Sequence, residues 1–188
     1  MLYLASRSPR REQLLRQLGI AFELLHVDVP EVRAAGEPAQ DYVSRVAREK
    51  ARVGFAIARM HDESAIVLGA DTEVVLDDRV FGKPRDANDA AAMLRALSGR
   101  THRVISSVWC VANDREKSAS SMSEVRFASL SEADVESYVV TGEPFGKAGA
   151  YAIQGRGGVF IEHLSGSYSG VMGLPLYETA RLLRQFGI

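Results

Sequence analysis

Apolar positions along this chain fall into short runs and helical stripes in alternation, which predicts a mixed α/β fold. Leu2 to Ala5 is an apolar run of strand length. Ser8-Pro9 then supplies a helix cap and first-turn residue, Leu14, Leu15 and Leu18 follow at helical spacing, and Gly19 is the stop. Ala21 to Val27 reads as a second strand. Pro38 opens a long helix to about Arg59, its apolar stripe starting at Tyr42, Val43, Val46 and Ala47. The unbroken apolar run Ala65 to Ala70 predicts a strand buried on both faces. Val74-Val75-Leu76 and Val80-Phe81, on either side of Asp77-Asp78-Arg79, predict a hairpin. Alanine-rich Asp86 to Ser98 reads as a helix ended by Gly99. Strands are expected near 101–112 and 119–128, a helix from Ser131 to about Val140, and a final helix starting near Leu174-Pro175. Nine of the sixteen glycines lie between Gly142 and Gly173. Glycine alone favours a long connection with several turns there, and the functional alternative is a backbone that approaches a ligand closely.

Composition narrows the class. The 188 residues are 46% hydrophobic and 25% charged, ordinary for a globular chain, and are read as a single domain, 1–188, with no boundary evident in the sequence. A chain of this size buries about 70% of its unfolded surface and needs no staple. Lys plus Arg total 23 against 24 acids, a net charge of −1, which argues against gripping nucleic acid by bulk charge. The single cysteine, Cys110, excludes an internal disulfide and a cysteine-built metal cage. No apolar run approaches the ~18 residues of a membrane span. The segment Met1 to Arg11 does not have the layout of a signal peptide, so a soluble cytoplasmic protein without a membrane partner is expected.

Three places carry candidate chemistry. Ser6-Arg7-Ser8-Pro9-Arg10-Arg11 sits where the first strand meets the first helix. A helix start presents unpaired N–H groups and the positive dipole end, and guanidinium matches phosphate with paired donors. The plain alternative is a capped helix with solvated arginines. Asp71, in Gly69-Ala70-Asp71-Thr72, ends a buried run where open α/β sheets place ligands, as a metal ligand or modest base, or else as a turn cap. Glu31 and Glu49 could add carboxylates. Lys83, in Gly82-Lys83-Pro84-Arg85, has a constrained backbone that suits it to a phosphate or to a polar turn. Lys50, within Arg48-Glu49-Lys50, is by default a solvated-face residue.

Other patterns fail. Residues 142–147 (GEPFGK) lack one spacer of a P-loop, and Ala148 stands where Ser or Thr would take magnesium. Residues 166–170 (GSYSG) have tyrosine where a nucleophile elbow needs serine. His26, His61, His102 and His163 form no local zinc motif. Cys110 reads as a small buried residue.

Taken in register, these segments resemble the Maf family of nucleoside triphosphate pyrophosphatases. Residues 4–11 (LASRSPRR) resemble its opening motif, Ala70-Asp71-Thr72 its acidic motif, Gly82-Lys83-Pro84 its lysine motif, and residues 147–155 (KAGAYAIQG) its late motif. Met93-Leu94 through Leu97-Ser98-Gly99, with His102, match the stretch between. The resemblance runs from about residue 2 to 186. It implies an elongated mixed sheet with flanking helices, two lobes around a central cleft, a fold similar to inosine triphosphatases, and frequent homodimers. Arg10, Asp71-Thr72 and Tyr151-Ala152-Ile153-Gln154 resemble the branch associated with dTTP and UTP, with Arg10, Thr72 and Gln154 at the specificity positions. The branch associated with 7-methyl-GTP has tryptophan after Ser-Pro and Asp-Gln centrally, and neither occurs. Arg7 departs from the small residue common in its slot.

The resemblance also implies roles. Asp71 is the catalytic proton acceptor, and Asp71 with Glu31 holds a divalent cation, Mg²⁺ or Mn²⁺. Ser8, Arg10, Arg11, Lys50 and Lys83 surround the triphosphate, and Gln154 faces the base. The expected reaction is house-cleaning hydrolysis of dTTP, UTP or modified pyrimidine nucleotides to the monophosphate and pyrophosphate. The alternatives are a non-catalytic nucleotide-binding regulator of cell division, or a phosphatase on another phosphorylated metabolite.

Overall fold

The computed structural model describes residues 1–113 and 115–188. In chain order its elements are β1 (Leu2–Ala5), α1 (Pro9–Arg16), β2 (Phe22–Leu25), α2 (Ala39–Ala58), β3 (Ile66–Leu76), β4 (Arg79–Phe81), α3 (Ala87–Leu97), β5 (Thr101–Val111), β6 (Glu116–Phe127), α4 (Glu132–Val139), β7 (Ile161–Ser165), α5 (Tyr168–Met172) and α6 (Leu176–Arg184). They build one mixed seven-stranded sheet in the order β2-β1-β3-β5-β6-β7, with β4 also on β3. β1 runs parallel to β2 and to the start of β3, and the other pairings are antiparallel.

Three sequence expectations change. The apolar run ending at Ala70 and the first arm of the hairpin are one strand: β3 continues through Asp71, Thr72 and Glu73 to Leu76. Its ladder to β5 is unbroken from Val67 to Val75, so backbone pairing carries the polar residues through the sheet. Asp71 therefore lies within a strand and not at its end. The glycine-rich stretch is also more than a connection, since it contains β7 and α5. β7 is mostly exposed and lacks an apolar alternation; it exists through its ladder to β6, which starts at Glu116 and not near 119.

The core is interrupted where the polar residues cross it. On the face carrying Leu68 and Ala70, these residues pack with Leu2, Leu4, Leu14, Leu15 and Leu183, whereas Val74 and Leu76 pack in a separate cluster with Phe81, Leu94, Leu97 and Phe127. Thr72 falls between. On the opposite face Val67 belongs to one cluster and Val75 to another, with Asp71 and Glu73 between them. α2 lies directly on this face: a methyl added at Gly69 would run into Ala47 O and Ala51 N, and one at Gly54 would meet Ala5 and Val67. Glycine is required at both points by that approach.

Candidate active site

The sheet has a gap at its centre. On one edge β3 pairs with β1 only as far as Gly69 and with β4 only from Val74 onward. Ala70 to Glu73 thus have a partner strand on the β5 edge alone. The chain leaving β1 and the chain leaving β4 flank the gap, and a cleft of about 610 Å³ opens over it. Every site residue expected from sequence lines this cleft: Ser8, Arg10, Arg11, Glu31, Lys50, Asp71, Thr72, Lys83 and Gln154. Glu49 does not. Its carboxylate turns to Arg45 at 3.1 Å instead.

One end of the cleft is basic. Ser8 occupies the cap position of α1 in an extended conformation, yet its hydroxyl makes no cap hydrogen bond. The expected N-cap bond is therefore absent, and the first turn of α1 is left without a side-chain acceptor. Arg11 is engaged internally, with Nε donating to Gly173 O at 2.8 Å and Nη2 to Thr72 Oγ1 at 3.4 Å. Thr72 Oγ1 also lies 2.7 Å from Ser106 Oγ, so Thr72 fixes Arg11 across the junction of the two core clusters. Arg10 has no hydrogen bond or ion pair among the described residues. Burial, and then Arg11 beside it, lower its guanidinium from its ordinary value. Burial, and then Arg10, likewise lower Lys147. Like charges held together with partial burial are unfavourable unless an anion joins them.

The other end is acidic and internally compensated. Lys50 Nζ donates to Asp71 Oδ1 at 2.7 Å and to Glu31 Oε1 at 2.6 Å. Lys83 Nζ donates to Glu31 Oε2 at 2.6 Å. Burial alone would raise Glu31, but the two ammonium groups outweigh it and hold the carboxyl at about 2. Lys50 is buried, contrary to its default reading as a solvated residue. The reason is its register: it continues the row Val43, Val46, Ala47 on the buried side of α2, and the close seat of α2 on Gly69 aims its stem at Asp71, two residues along β3. Glu73 shares the Asp71 face of the strand. Burial first, then the charges of Asp71 and Glu31, push it up to about 8 against the opposing effect of Lys83 and Lys50.

Gln154 is exposed at the cleft rim, on a strap whose mount is polar. Glu143 accepts from Tyr138 Oη at 2.7 Å and from Arg156 N and Gly157 N at 3.0 Å. A Cβ at Gly155 would run into that carboxylate. Burial would raise Glu143, yet these donors and Lys147 bring it below its usual value. The strap's far side is pinned by Tyr151 Oη, 2.9 Å from His102 Nε2. Cys110 is buried, its thiol pushed up to about 12, and takes no part.

Sequence reasoning missed three contributors. Glu73 carried a signal, since alternate residues of a strand share a face, but residues 71–73 were not read as strand. Lys147 was quoted within a motif without a role. Glu143 lay inside a rejected P-loop pattern, and nothing local marks it as an anchor for residues 155–157.

Residues 1–186 match the family of Maf-like proteins. The chain belongs to the Maf family. Among Maf relatives, a dTTP/UTP pyrophosphatase of Xanthomonas euvesicatoria pv. vesicatoria (strain 85-10) is 61% identical over 188 residues, with 100% of this chain and 99% of that protein covered. A nucleoside triphosphate pyrophosphatase of Xylella fastidiosa (strain 9a5c) is 60% identical, with 99% and 98% covered. The Staphylococcus aureus Ham1 protein, a solved structure, is 11% identical at a TM-score of 0.47, with 98% of this chain and 96% of that one covered. No described helix of this Maf protein is long and apolar enough to cross a membrane.

Maf proteins of this kind imply a divalent cation, and the donor set can be tested for it. Among the described residues no three carboxylate, imidazole or thiol groups stand together as a ready cation cage. Two buried carboxylate oxygens, Asp71 Oδ2 and Glu73 Oε2, nevertheless have no hydrogen-bond partner among the described residues. Orphaned hard oxygen donors beside a polar cleft fit Mg²⁺ or Mn²⁺.

Proposed function

We propose that this chain hydrolyses dTTP and UTP to the nucleoside monophosphate and pyrophosphate in the cleft over the β3 gap, with a divalent cation. Its 61% identical, full-length relative is named for that activity. The observation that carries the reading is the division of charge across one cleft: unpaired cations at one end, and at the other an acidic group that retains an unpaired oxygen.

The triphosphate enters with its β and γ units at the basic end. Arg10 and Lys147, which lack a carboxylate partner among the described residues, bind phosphate oxygens together with the Ser8 hydroxyl and the uncapped start of α1. Arg11, oriented by Thr72 and Gly173 O, adds a fixed guanidinium. Lys83 approaches from the β4 side while holding Glu31. Gln154 both donates and accepts and pairs with the edge of a uracil or thymine ring, which selects the pyrimidine, while Arg10, and Thr72 through Arg11, set where the triphosphate lies relative to that contact. Lys50 holds Asp71 by Oδ1, which leaves Oδ2 to orient a water against the α-phosphorus and to take its proton. The water oxygen bonds to phosphorus, the α–β bridging bond breaks, and pyrophosphate leaves with its charge neutralised by the arginines and lysines. Asp71 and a neighbouring carboxylate would hold the divalent cation, which would supply further positive charge beside the triphosphate.

A panel of nucleoside triphosphates with Mg²⁺ or Mn²⁺, in which pyrophosphate and orthophosphate are both quantified, tests this. The expected result is pyrophosphate in equal amount to monophosphate, fastest with dTTP and UTP. Orthophosphate as the first product identifies a phosphatase, and tight binding without turnover identifies a nucleotide-binding protein. Either result overturns the proposal.

A further inference from the structure

Three carboxylates surround the acidic end, but they are not equally available. Both oxygens of Glu31 carry an ammonium, Lys50 on Oε1 and Lys83 on Oε2, each at 2.6 Å. Asp71 is half-engaged, with Lys50 on Oδ1 and, among the described residues, nothing on Oδ2. Glu73 makes no hydrogen bond or ion pair among the described residues, is 7% exposed, and buries Oε2 without a partner. An ionised carboxylate in that state is strongly unfavourable unless a cation or donor reaches it. The two local ammonium groups turn to Glu31 and Asp71 instead: Lys50 to both, Lys83 to Glu31.

Glu73 is also placed to be reached. It lines the main cleft and, on the other side of the Glu31–Lys83 pair, a second cavity of about 570 Å³. Asp71 and Glu73 alternate on one strand, about 6.5 Å apart along it, so two flexible carboxyl ends can meet on one ion with bonds of about 2.0–2.1 Å for Mg²⁺.

We propose that Glu73, and not Glu31, is the carboxylate that joins Asp71 on the divalent cation. This rests on the metal-dependent reading of the site. Glu31 instead serves as the spacer that holds Lys50 and Lys83 apart and aimed.

The test is titration of Mn²⁺ into the full-length, nucleotide-free protein, with free Mn²⁺ counted by its electron spin resonance signal, for wild type, Glu73→Gln and Glu31→Gln. Melting temperatures with and without Mn²⁺ are taken in parallel. Wild type should bind one ion and melt higher with it. Glu73→Gln should bind about 10–100-fold more weakly and lose the Mn²⁺-dependent rise, while its metal-free melting point is unchanged or raised. Glu31→Gln should stay within about threefold of wild type in Mn²⁺ affinity. If Glu73→Gln does not fold, Glu73→Asp, which keeps the charge but withdraws it by one methylene, should show the loss. Retained affinity in the Glu73 variants, or an equal loss in Glu31→Gln, overturns the inference and leaves the metal reading intact. Absence of Mn²⁺ binding in wild type also overturns it, and hydrolysis that survives EDTA overturns the metal reading itself.

Discussion

The two ends of the cleft handle buried charge in opposite ways. At the acidic end Asp71 and Glu31 share Lys50, and Glu31 also holds Lys83. That end supplies its own counterions to Glu31 and to one oxygen of Asp71, and leaves Asp71 Oδ2 and Glu73 Oε2 for a cation. At the basic end, among the described residues, Arg10 has no acidic partner and Lys147 reaches only a backbone carbonyl, Phe145 O, at 3.3 Å. The cleft wall has six basic side chains against four acidic ones, and those left unmatched lie at this end. Unmatched half-buried cations held together in a cleft mark a place where an outside anion is neutralised. The acidic end is therefore built for positioning and chemistry, and the basic end for capturing an anion.

If the division is correct, damage to the acidic end should fall on turnover and stability, and damage to the basic end on substrate capture. The largest effect is expected from Asp71→Asn. The amide still accepts from Lys50 but cannot take a proton, and kcat should fall at least ~100-fold, with the upper end of base removal near 10⁴-fold. Product assays at saturating dTTP check this, and near-normal kcat removes Asp71 from the reaction. Next is Lys50→Met, which leaves Asp71 buried without its ammonium. Breaking a buried pair from one side costs about 3–5 kcal/mol. The lower figure is expected here, because Glu31 is one-third exposed and keeps Lys83. The midpoint of urea unfolding reads the loss, and an unchanged midpoint breaks the picture of a self-compensated end.

How far the sequence led depends on which contacts are local. The opening motif was legible because a strand end, a serine-proline pair and arginines sit within eleven residues of the N-terminus, and the element boundaries follow from turn and cap chemistry. Lys83 was legible for the same reason. Lys50 was not, because burial of one lysine in a helix depends on where α2 seats on Gly69, a contact between distant segments. Glu73 was hidden by an error in strand length. A charged residue normally marks the end of a buried run, and only the continuous ladder to β5 keeps β3 intact past Asp71. β7 was invisible for a different reason, since an exposed edge strand without alternation takes its conformation from its neighbour. The family resemblance supplied Lys50, Glu31 and Gln154, which local spacing could not select.

At the basic end smaller, different effects are expected. Arg10→Ala should raise KM for dTTP by about tenfold, the scale of one lost hydrogen bond to a charged group, with kcat nearly unchanged. Lys147→Ala should do the same. The double variant should fall short of the product of the two, because removal of either relieves the repulsion felt by the other. Steady-state kinetics at fixed ionic strength measure all three. A loss confined to kcat would assign these groups to the chemical step and erase the contrast between the ends.

The smallest effect separates the mounts of the two ends. The strap that carries Lys147 and Gln154 is pinned by Tyr151 on His102, which is 1% exposed and edge-on to Phe127 at 5.1 Å. Burial lowers the His102 imidazole to about 4 from its ordinary 6.5. The folded state keeps this ring neutral between those values, whereas the unfolded chain takes up a proton below 6.5, so protons bind preferentially to the unfolded state and stability falls as pH falls through this window. Between pH 6.5 and 5.5 the contribution is about 1 kcal/mol. His102→Gln retains a polar group toward Tyr151 but cannot titrate. Urea midpoints for both proteins at the two pH values should therefore show wild type losing about 1 kcal/mol more than the variant. Equal losses would mean that the ring is charged or solvated in the fold, and that the strap's mount is no more sensitive to acid than the α2 face on the other side of the sheet.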